Sequence, residues 1–206
     1  MNSNWQNFLA SRGARIEAGQ VSDFGDALAE LNAAASGTVL APLTHFGLIR
    51  AMGEEAATFL HNLLSNDVQH LGRNRAERCG FCSPKGRLLA DFLLWRGDEH
   101  DYLLQLSADI QPGLLKKLGM YVLRSKVKLA NAGDDIVLLG LSGLGAAAAL
   151  KAAGVDLPEA PMDVSHLPGG AVIRLDGQRY QLALGTDAAA RLWERLAEQA
   201  TPVGTP

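Results

Sequence analysis

Apolar and polar positions alternate along residues 87–96, and this alternation predicts a β-strand. One face of the sheet would carry Leu88, Ala90, Phe92 and Leu94, and the other would carry Leu89, Asp91, Leu93 and Trp95. Because both faces are so apolar, we expect the strand to lie in the interior of its sheet. A strand over residues 76–83 precedes it, and the segment Ser83-Pro84-Lys85-Gly86 would join the two as a hairpin. Proline suits the second position of a tight turn, and glycine tolerates a positive φ.

Asp91 places a carboxylate on a face of this strand that otherwise carries leucine and tryptophan. Burial there would raise the pKa of Asp91, and only a bound partner or a cationic neighbour would favour its ionised form. The alternative is an aspartate that caps a neighbouring backbone group or lies at the edge of the sheet. The pattern alone leaves both interpretations open.

Apolar periodicity divides the rest of the chain into helices and strands. Helices are predicted over residues 4–17, 54–65, 110–122, 142–153 and 187–199, and further strands over 38–43, 46–52, 101–107, 127–130, 136–141, 171–176 and 179–184. Within residues 38–132, the predicted elements follow the order strand, helix, strands, helix, strand, which resembles that of a ferredoxin-like split βαβ unit. We therefore expect an α+β fold in four parts: an N-terminal helix and lead-in at 1–37, a ferredoxin-like core at 38–132, a second α+β subdomain at 133–200, and a tail or truncated linker at 201–206.

The helix over residues 54–65 is predicted to end at Asn66 and Asp67. Both residue types are common in turns because their side chains bond to nearby backbone groups. The functional alternative is that this Ser-Asn-Asp turn contacts a ligand.

Composition is ordinary for a soluble globular protein, with 48% hydrophobic and 20% charged residues. No apolar run reaches the roughly 18 residues of a membrane helix, and the N-terminus lacks a secretory pattern, so the expected location is the cytoplasm. The net charge of -3 conceals a gradient, since residues 70–133 carry 11 basic and 6 acidic side chains and both flanking segments are acidic. A positive segment in an acidic chain suggests an anionic ligand.

Three further patterns have simple structural explanations. The thiols of Cys79 and Cys82 would point to opposite faces of a strand, so we expect buried cysteines and no metal site. The order Gly140, Gly143, Gly145 is not that of a dinucleotide-binding loop, and close packing of strand and helix explains it equally well. The five histidines have no metal-ligand spacing.

Basic residues occur without any acidic residue between Ile110 and Gly133; they are Lys116, Lys117, Arg124, Lys126 and Lys128. They could form a solvated face. They could also form a basic rim around a cleft, suited to the glutamate tail of a folate or to an RNA backbone. That rim would include Arg73, Arg78, Lys85 and Arg87, which are nearby in the chain.

The segment SPKGRLLADFLLWR resembles the central hairpin of the YgfZ-type folate-binding proteins, which are relatives of the glycine-cleavage T-protein, an aminomethyltransferase. The resemblance continues in FGLIRAMGEEAATFLHNLLSNDVQHL, LLKKLGMYVLRSKVKL and DDIVLLGLSGLGAAAAL, and covers most of residues 38–150. It implies a ring of subdomains around tetrahydrofolate, with a role in iron-sulfur cluster upkeep and thereby in tRNA modification.

The resemblance also implies site residues. Asp91 falls at or beside the acidic position that faces the folate in T-proteins, and is therefore the candidate catalytic residue. The expected folate-binding residues are Asn66, Asp67, Lys85, Gly86, Arg87 and Lys126. The family signature Lys-Gly-Cys-Tyr-x-Gly-Gln-Glu is absent, as is the C-terminal barrel, so we expect a truncated or shortened relative.

The leading hypothesis is a tetrahydrofolate-binding accessory protein that supports iron-sulfur enzymes. The alternatives are a working aminomethyltransferase and a non-enzymatic RNA-binding module that contacts tRNA through the basic middle third. Few aromatic residues accompany the basic ones, which gives base stacking little support.

Overall fold

The computed structural model describes residues 2–205 and divides the chain into two compact units. The first unit comprises the residues up to His45 together with those from Asp134 onward, and the second comprises Phe46–Gly133. This division differs from the expected one, in which residues 38–132 formed the core and 1–37 a separate lead-in. None of the helices within residues 2–205 has the length and apolar character needed to cross a bilayer.

The first unit begins with two helices and three short strands: α1 (Ser3–Ser11), β1 (Arg15–Glu17), β2 (Gln20–Asp23), α2 (Ala27–Ser36) and β3 (Val39–Pro42). The predicted helix over 4–17 is therefore too long. It ends at Ser11 because Gly13 adopts a φ of +90°, and residues 15–17 instead pair with β2 as a short antiparallel hairpin.

The second unit follows with five strands and two helices: β4 (Phe46–Met52), α3 (Ala56–Leu63), β5 (Ala76–Cys82), β6 (Leu88–Asp98), β7 (Asp101–Ser107), α4 (Gln111–Val122) and β8 (Lys128–Asn131). Its antiparallel sheet has the order β5-β6-β7-β4-β8. Without β5, this is the order of a ferredoxin-like split βαβ unit. The predicted fold class is thus confirmed, and β6 lies inside the sheet as expected.

One face of this sheet packs on both helices of the second unit. Phe92 and Leu94 from β6 join Leu60 of α3 and Leu118 of α4 in one buried cluster. The opposite face of β6 carries Leu93 and Trp95, which are also buried. Residues 92–95 are therefore covered on both sides, which explains their unbroken apolar sequence.

The first unit resumes after residue 133 with β9 (Ile136–Ser142), α5 (Ala146–Ala152), β10 (Val164–Leu167), β11 (Gly170–Arg174), β12 (Arg179–Gly185), α6 (Thr186–Ala197) and β13 (Thr201–Pro202). Its sheet has the order β10-β11-β12-β9-β3-β13. The segment at 38–42 was expected in the ferredoxin-like core, but β3 pairs with β9 in this sheet. The expected tail contributes a strand, since β13 pairs in parallel with β3.

The glycines between β9 and α5 allow close packing within the first unit. A Cβ at Gly143, whose φ is +116°, would lie 2.1 Å from the carbonyl oxygen of Gly37. A Cβ at Gly145 would lie 2.7 Å from Oγ1 of Thr38, which accepts a hydrogen bond from the Gly145 N–H. These contacts account for the glycine pattern through backbone packing.

Candidate functional site

The turn between β5 and β6 holds two cationic side chains in solvent. The Gly86 N–H donates to the Ser83 carbonyl over 2.9 Å, and the Ser83 N–H donates to the Arg87 carbonyl over 2.8 Å. Gly86 adopts a φ of +75°, which glycine tolerates at little cost. Lys85, Gly86 and Arg87 are all exposed. The predicted turn therefore forms, and it presents two positive charges beside each other.

Asp91 is exposed, so of the two interpretations that the sequence left open, the one with a buried carboxylate does not hold. The strand becomes buried only further along β6, since Leu93 is 6% exposed whereas Leu89 is 38% exposed. The residue opposite Asp91 on β5 is Gly80, which has no side chain to shield the carboxylate. Asp91 thus stands in solvent between the apolar end of the hairpin and the buried part of the strand.

The Ser65-Asn66-Asp67 turn is bound to the outer edge of β5 at Gly80. The Ser65 N–H donates to the Gly80 carbonyl over 2.9 Å, and the Gly80 N–H donates to the Ser65 hydroxyl over 2.8 Å. Both backbone groups of Gly80 therefore point away from β6, so Gly80 and Asp91 form the closer, non-hydrogen-bonded kind of pair. Through Gly80, the structure brings the Ser65–Asp67 turn next to the strand position of Asp91.

Asn66 is held by a contact on the other face of the sheet. Its amide donates to the Glu77 carboxylate over 3.1 Å, and its amide oxygen accepts from the Ser65 hydroxyl over 2.9 Å. Glu77 and Gly80 are three positions apart on β5, so they point to opposite faces of the sheet. Because Gly80 pairs with Asp91, the Glu77 side chain lies on the face opposite that of Asp91. Asn66 is therefore a neighbour of Asp91 along the backbone, with its side chain engaged elsewhere.

Asp67 lies between two histidines. Its carboxylate oxygens are 2.7 Å from Nδ1 of His70 and 3.2 Å from Nδ1 of His61. The hydrogen bond to the His70 side chain lowers the pKa of Asp67 below its usual value. Sequence analysis did not link these histidines to Asp67, although their positions on either side of it were a usable signal.

The pKa of Asp67 should therefore depend on His70. In H70A we expect the pKa of the Asp67 carboxyl, followed by carbon NMR, to rise towards its usual value. Because the folded-state pKa is the lower one, the contact stabilises the fold above the unfolded-state pKa, and this stabilisation is lost as the pH falls through the folded-state pKa. H166A, at a histidine in β10, is the control; an equal rise in both variants would contradict the assignment.

Lys126 is not brought to the hairpin. Its ammonium group pairs with Glu54 over 3.0 Å, and its backbone N–H donates to Glu55 over 2.8 Å. Lys126 leads into β8, which is three strands away from β6 in the sheet, or about 14 Å at the usual strand spacing. The contacts thus place Lys126 beside the start of α3.

The two cysteines differ in environment. Cys79 is buried, and burial, with smaller contributions from Glu77 and Asp91, raises the pKa of its thiol to about 12. Cys82 is exposed, which corrects the expectation that both are buried. Within residues 2–205, no group of three or more histidine, cysteine, aspartate or glutamate side chains could hold a metal ion.

Gly80 is the residue of this site that sequence analysis missed. Its signal was a single glycine inside an apolar strand, which often marks a close approach of another backbone segment. Here the Ser65 turn bonds to the backbone of Gly80, and the Leu88 side chain fills the space of a Cβ, with its Cδ1 2.8 Å from that position.

The fold is that of the glycine-cleavage aminomethyltransferases. The chain superposes on the glycine cleavage system aminomethyltransferase T from Bartonella henselae with a TM-score of 0.84 and 22% identity, covering 99% of this chain and 59% of that one. At this identity the likeness establishes the fold alone. The profile of the GCVT N-terminal domain family matches residues 20–167, and the chain therefore belongs to that family.

Two kinds of curated relative match at similar identity. The chain is 27% identical over 172 residues to the aminomethyltransferase of Bacillus subtilis, covering 79% of this chain and 47% of that protein. It is 28% identical over 164 residues to the tRNA-modifying protein YgfZ of Yersinia enterocolitica, covering 78% of this chain and 49% of that protein. The chain thus spans about half the length of these relatives.

Proposed function

We propose that this protein binds a reduced folate, and that the end of the β5–β6 hairpin supplies one wall of the site. The observation that carries the proposal is the set of exposed groups there, where the Asp91 carboxylate lies on the same strand as Leu89 and close along the chain to Lys85 and Arg87. Family membership supports it, because the matched range contains the whole hairpin.

Each group has a chemical role in this proposal. The Asp91 carboxylate accepts hydrogen bonds from N–H groups of the pterin ring. Leu88, 62% exposed, and Leu89, 38% exposed, offer apolar surface to the flat ring. Lys85 and Arg87 form charge-assisted hydrogen bonds with the carboxylates of the glutamate tail. Gly86 keeps the turn open to the ligand.

The Ser65–Asp67 turn orients the hairpin in this proposal. Asn66 holds the turn against β5 through Glu77, and Ser65 fixes Gly80 opposite Asp91. Asp67 ties the turn to His61 of α3 and to His70. Lys126 stays outside the proposed site, because its charge is engaged by Glu54 at the other edge of the sheet.

The cellular role proposed for this binding is that of an accessory protein in iron-sulfur cluster upkeep, and through it in tRNA modification. The YgfZ relative, whose name refers to tRNA modification, supports this role. The aminomethyltransferase relative supports a second candidate, transfer of a one-carbon unit from an aminomethyl-lipoyl donor to tetrahydrofolate. Release of methylenetetrahydrofolate from such a donor distinguishes the two: turnover favours the enzyme, and binding without turnover favours the accessory protein.

Calorimetric titration with tetrahydrofolate tests the proposal. We expect saturable binding by the wild type and an affinity lower by about tenfold or more in D91A, since a hydrogen bond to a charged group contributes about 1.5–3 kcal/mol. D156N, at an exposed aspartate of the first unit, is the control and should bind like the wild type. Absence of binding heat with folded wild-type protein would remove the folate proposal.

A further inference from the structure

Arg78 of β5 lies on the same face of the sheet as Asp91 of β6. Arg78 pairs with Leu93, and Gly80 pairs with Asp91. Paired residues of antiparallel strands point to the same face, and so do residues two positions apart on one strand. Arg78 and Asp91 are therefore diagonal neighbours, which are about 7–8 Å apart in such a pair. The long arginine side chain can span this distance.

The guanidinium of Arg78 and the carboxylate of Asp91 are both free. Each residue is exposed, and neither side chain has a hydrogen-bond or ion-pair partner in the part of the chain that the structure describes. Arg96 of β6 differs, because its guanidinium donates to the Glu99 carbonyl over 2.6 Å. Arg78 thus presents a full set of N–H donors beside a carboxylate that can only accept when ionised.

An apolar surface lies next to these two charged groups. A Cβ built on Gly80 would lie 2.8 Å from Cδ1 of Leu88, so the Leu88 side chain covers Gly80 on the face that carries Asp91. Leu88 remains 62% exposed. A flat ring that rests on Leu88 can therefore reach a carboxylate and a guanidinium from one position, and such a combination of apolar surface with a few polar groups is typical of ligand sites.

The direction of the strand indicates which part of a folate would meet Arg78. The function proposed above assigns the glutamate tail to Lys85 and Arg87 in the turn. Arg78 is further from the turn than Gly80, the partner of Asp91. With the tail at the turn, the pyrimidine end of the pterin points along the strand towards Arg78. This end carries the 2-amino and N3–H donors next to the 4-oxo acceptor.

We propose that Arg78 donates to the 4-oxo group of the bound pterin while Asp91 accepts from the adjacent N–H groups, so that Arg78 selects 4-oxo over 4-amino pterins. A 4-amino group would set N–H donors against the donors of Arg78, and such a mismatch at a hydrogen-bonding site costs affinity. This inference rests on the proposed binding of a reduced folate and adds its specificity. Sequence analysis placed Arg78 only in a basic rim.

Calorimetric titration with tetrahydrofolate and with tetrahydroaminopterin, which has an amino group in place of the 4-oxo group, tests the proposal. R78M keeps the length of the side chain and removes every donor. We expect R78M to lose affinity for tetrahydrofolate by about tenfold or more and to bind tetrahydroaminopterin no more weakly than the wild type does. The ratio of the two dissociation constants should therefore change by that factor.

Two further variants show whether the effect belongs to the 4-oxo group. K85M removes a charge assigned to the tail, so it should weaken the binding of both compounds by the same factor and leave their ratio unchanged. R191M, at an exposed arginine on α6 of the first unit, should bind both compounds like the wild type. Because the Arg78 guanidinium has no partner in the described chain, R78M and R78A should melt at the wild-type temperature.

The outcomes separate this inference from the function on which it rests. Equal losses for the two compounds in R78M and R78A, or no loss in either variant, would overturn the role of Arg78 while wild-type binding of tetrahydrofolate still supported the folate site. Absence of tetrahydrofolate binding by the folded wild type would remove both proposals.

Discussion

W193A is expected to lower the free energy of unfolding by about 3–5 kcal/mol, as measured by urea denaturation. The Trp193 side chain is 1% exposed and lies in the core of the first unit. Its ring contacts Trp5 edge-on at a centroid distance of 5.9 Å and stacks on Phe24 at 5.6 Å. The alanine variant loses these contacts and leaves a cavity that the surrounding strands and helices fill only in part.

W193F is the matched comparison for this loss. Phenylalanine keeps an aromatic ring against Phe24 but leaves part of the indole volume empty, so we expect a smaller loss of about 1–2 kcal/mol. Equal stability of W193A and the wild type would contradict the packing of α1 and α6 around this ring.

G53A is expected to lower the free energy of unfolding by about 3 kcal/mol or more. Gly53 adopts a φ of +135°, and a Cβ there would lie 2.0 Å from the carbonyl oxygen of Lys126. The substitution combines backbone strain with a contact that only movement of the main chain can relieve.

G86A separates these two contributions. Gly86 also adopts a positive φ, of +75°, but no atom lies within 4 Å of a Cβ built there. Strain alone should therefore cost about 1 kcal/mol in the same urea experiment. A G53A variant as stable as G86A, or more stable, would contradict the close approach of Gly53 to Lys126.

The sequence was sufficient to predict the hairpin. Proline and glycine at fixed turn positions and the alternation of Leu88–Trp95 are local signals. The observed register of β5 and β6 agrees with them from Ala90 onward, whereas a register shift between Phe81 and Cys82 pairs Cys82 with Leu88 and breaks the alternation at that end. The core position of Trp193 on α6 was equally accessible, because helical periodicity identifies the buried stripe.

The membership of β3 in its sheet was not accessible from the sequence. A short apolar strand has the same local pattern whichever partner it pairs with, and the partner of Val39 is Ser142, which is distant along the chain. The pairing of the last residues with β3 was missed for the same reason, since Thr201–Pro202 carries no apolar pattern of its own.

The exposure of Asp91 depends on the tertiary structure in a different way. The alternation of apolar and polar residues indicates which face of a strand a side chain occupies, but not how much of that face is buried by the rest of the protein. In β6 the buried part of the strand ends between Leu93 and Leu89, and Gly80, opposite Asp91, has no side chain that could bury the carboxylate. Exposure also leaves the carboxylate free to meet a ligand, which is why Asp91 remains central to the proposed site.

Amide NMR of the nitrogen-15-labelled chain during titration with 5-formyltetrahydrofolate tests the central claim most directly. The account predicts saturable shifts at Gly80, Gly86 and Asp91, and none at Gly177, which also has a positive φ but lies in the turn between β11 and β12. Shifts at Gly177 with unchanged signals at the three hairpin positions would contradict the account.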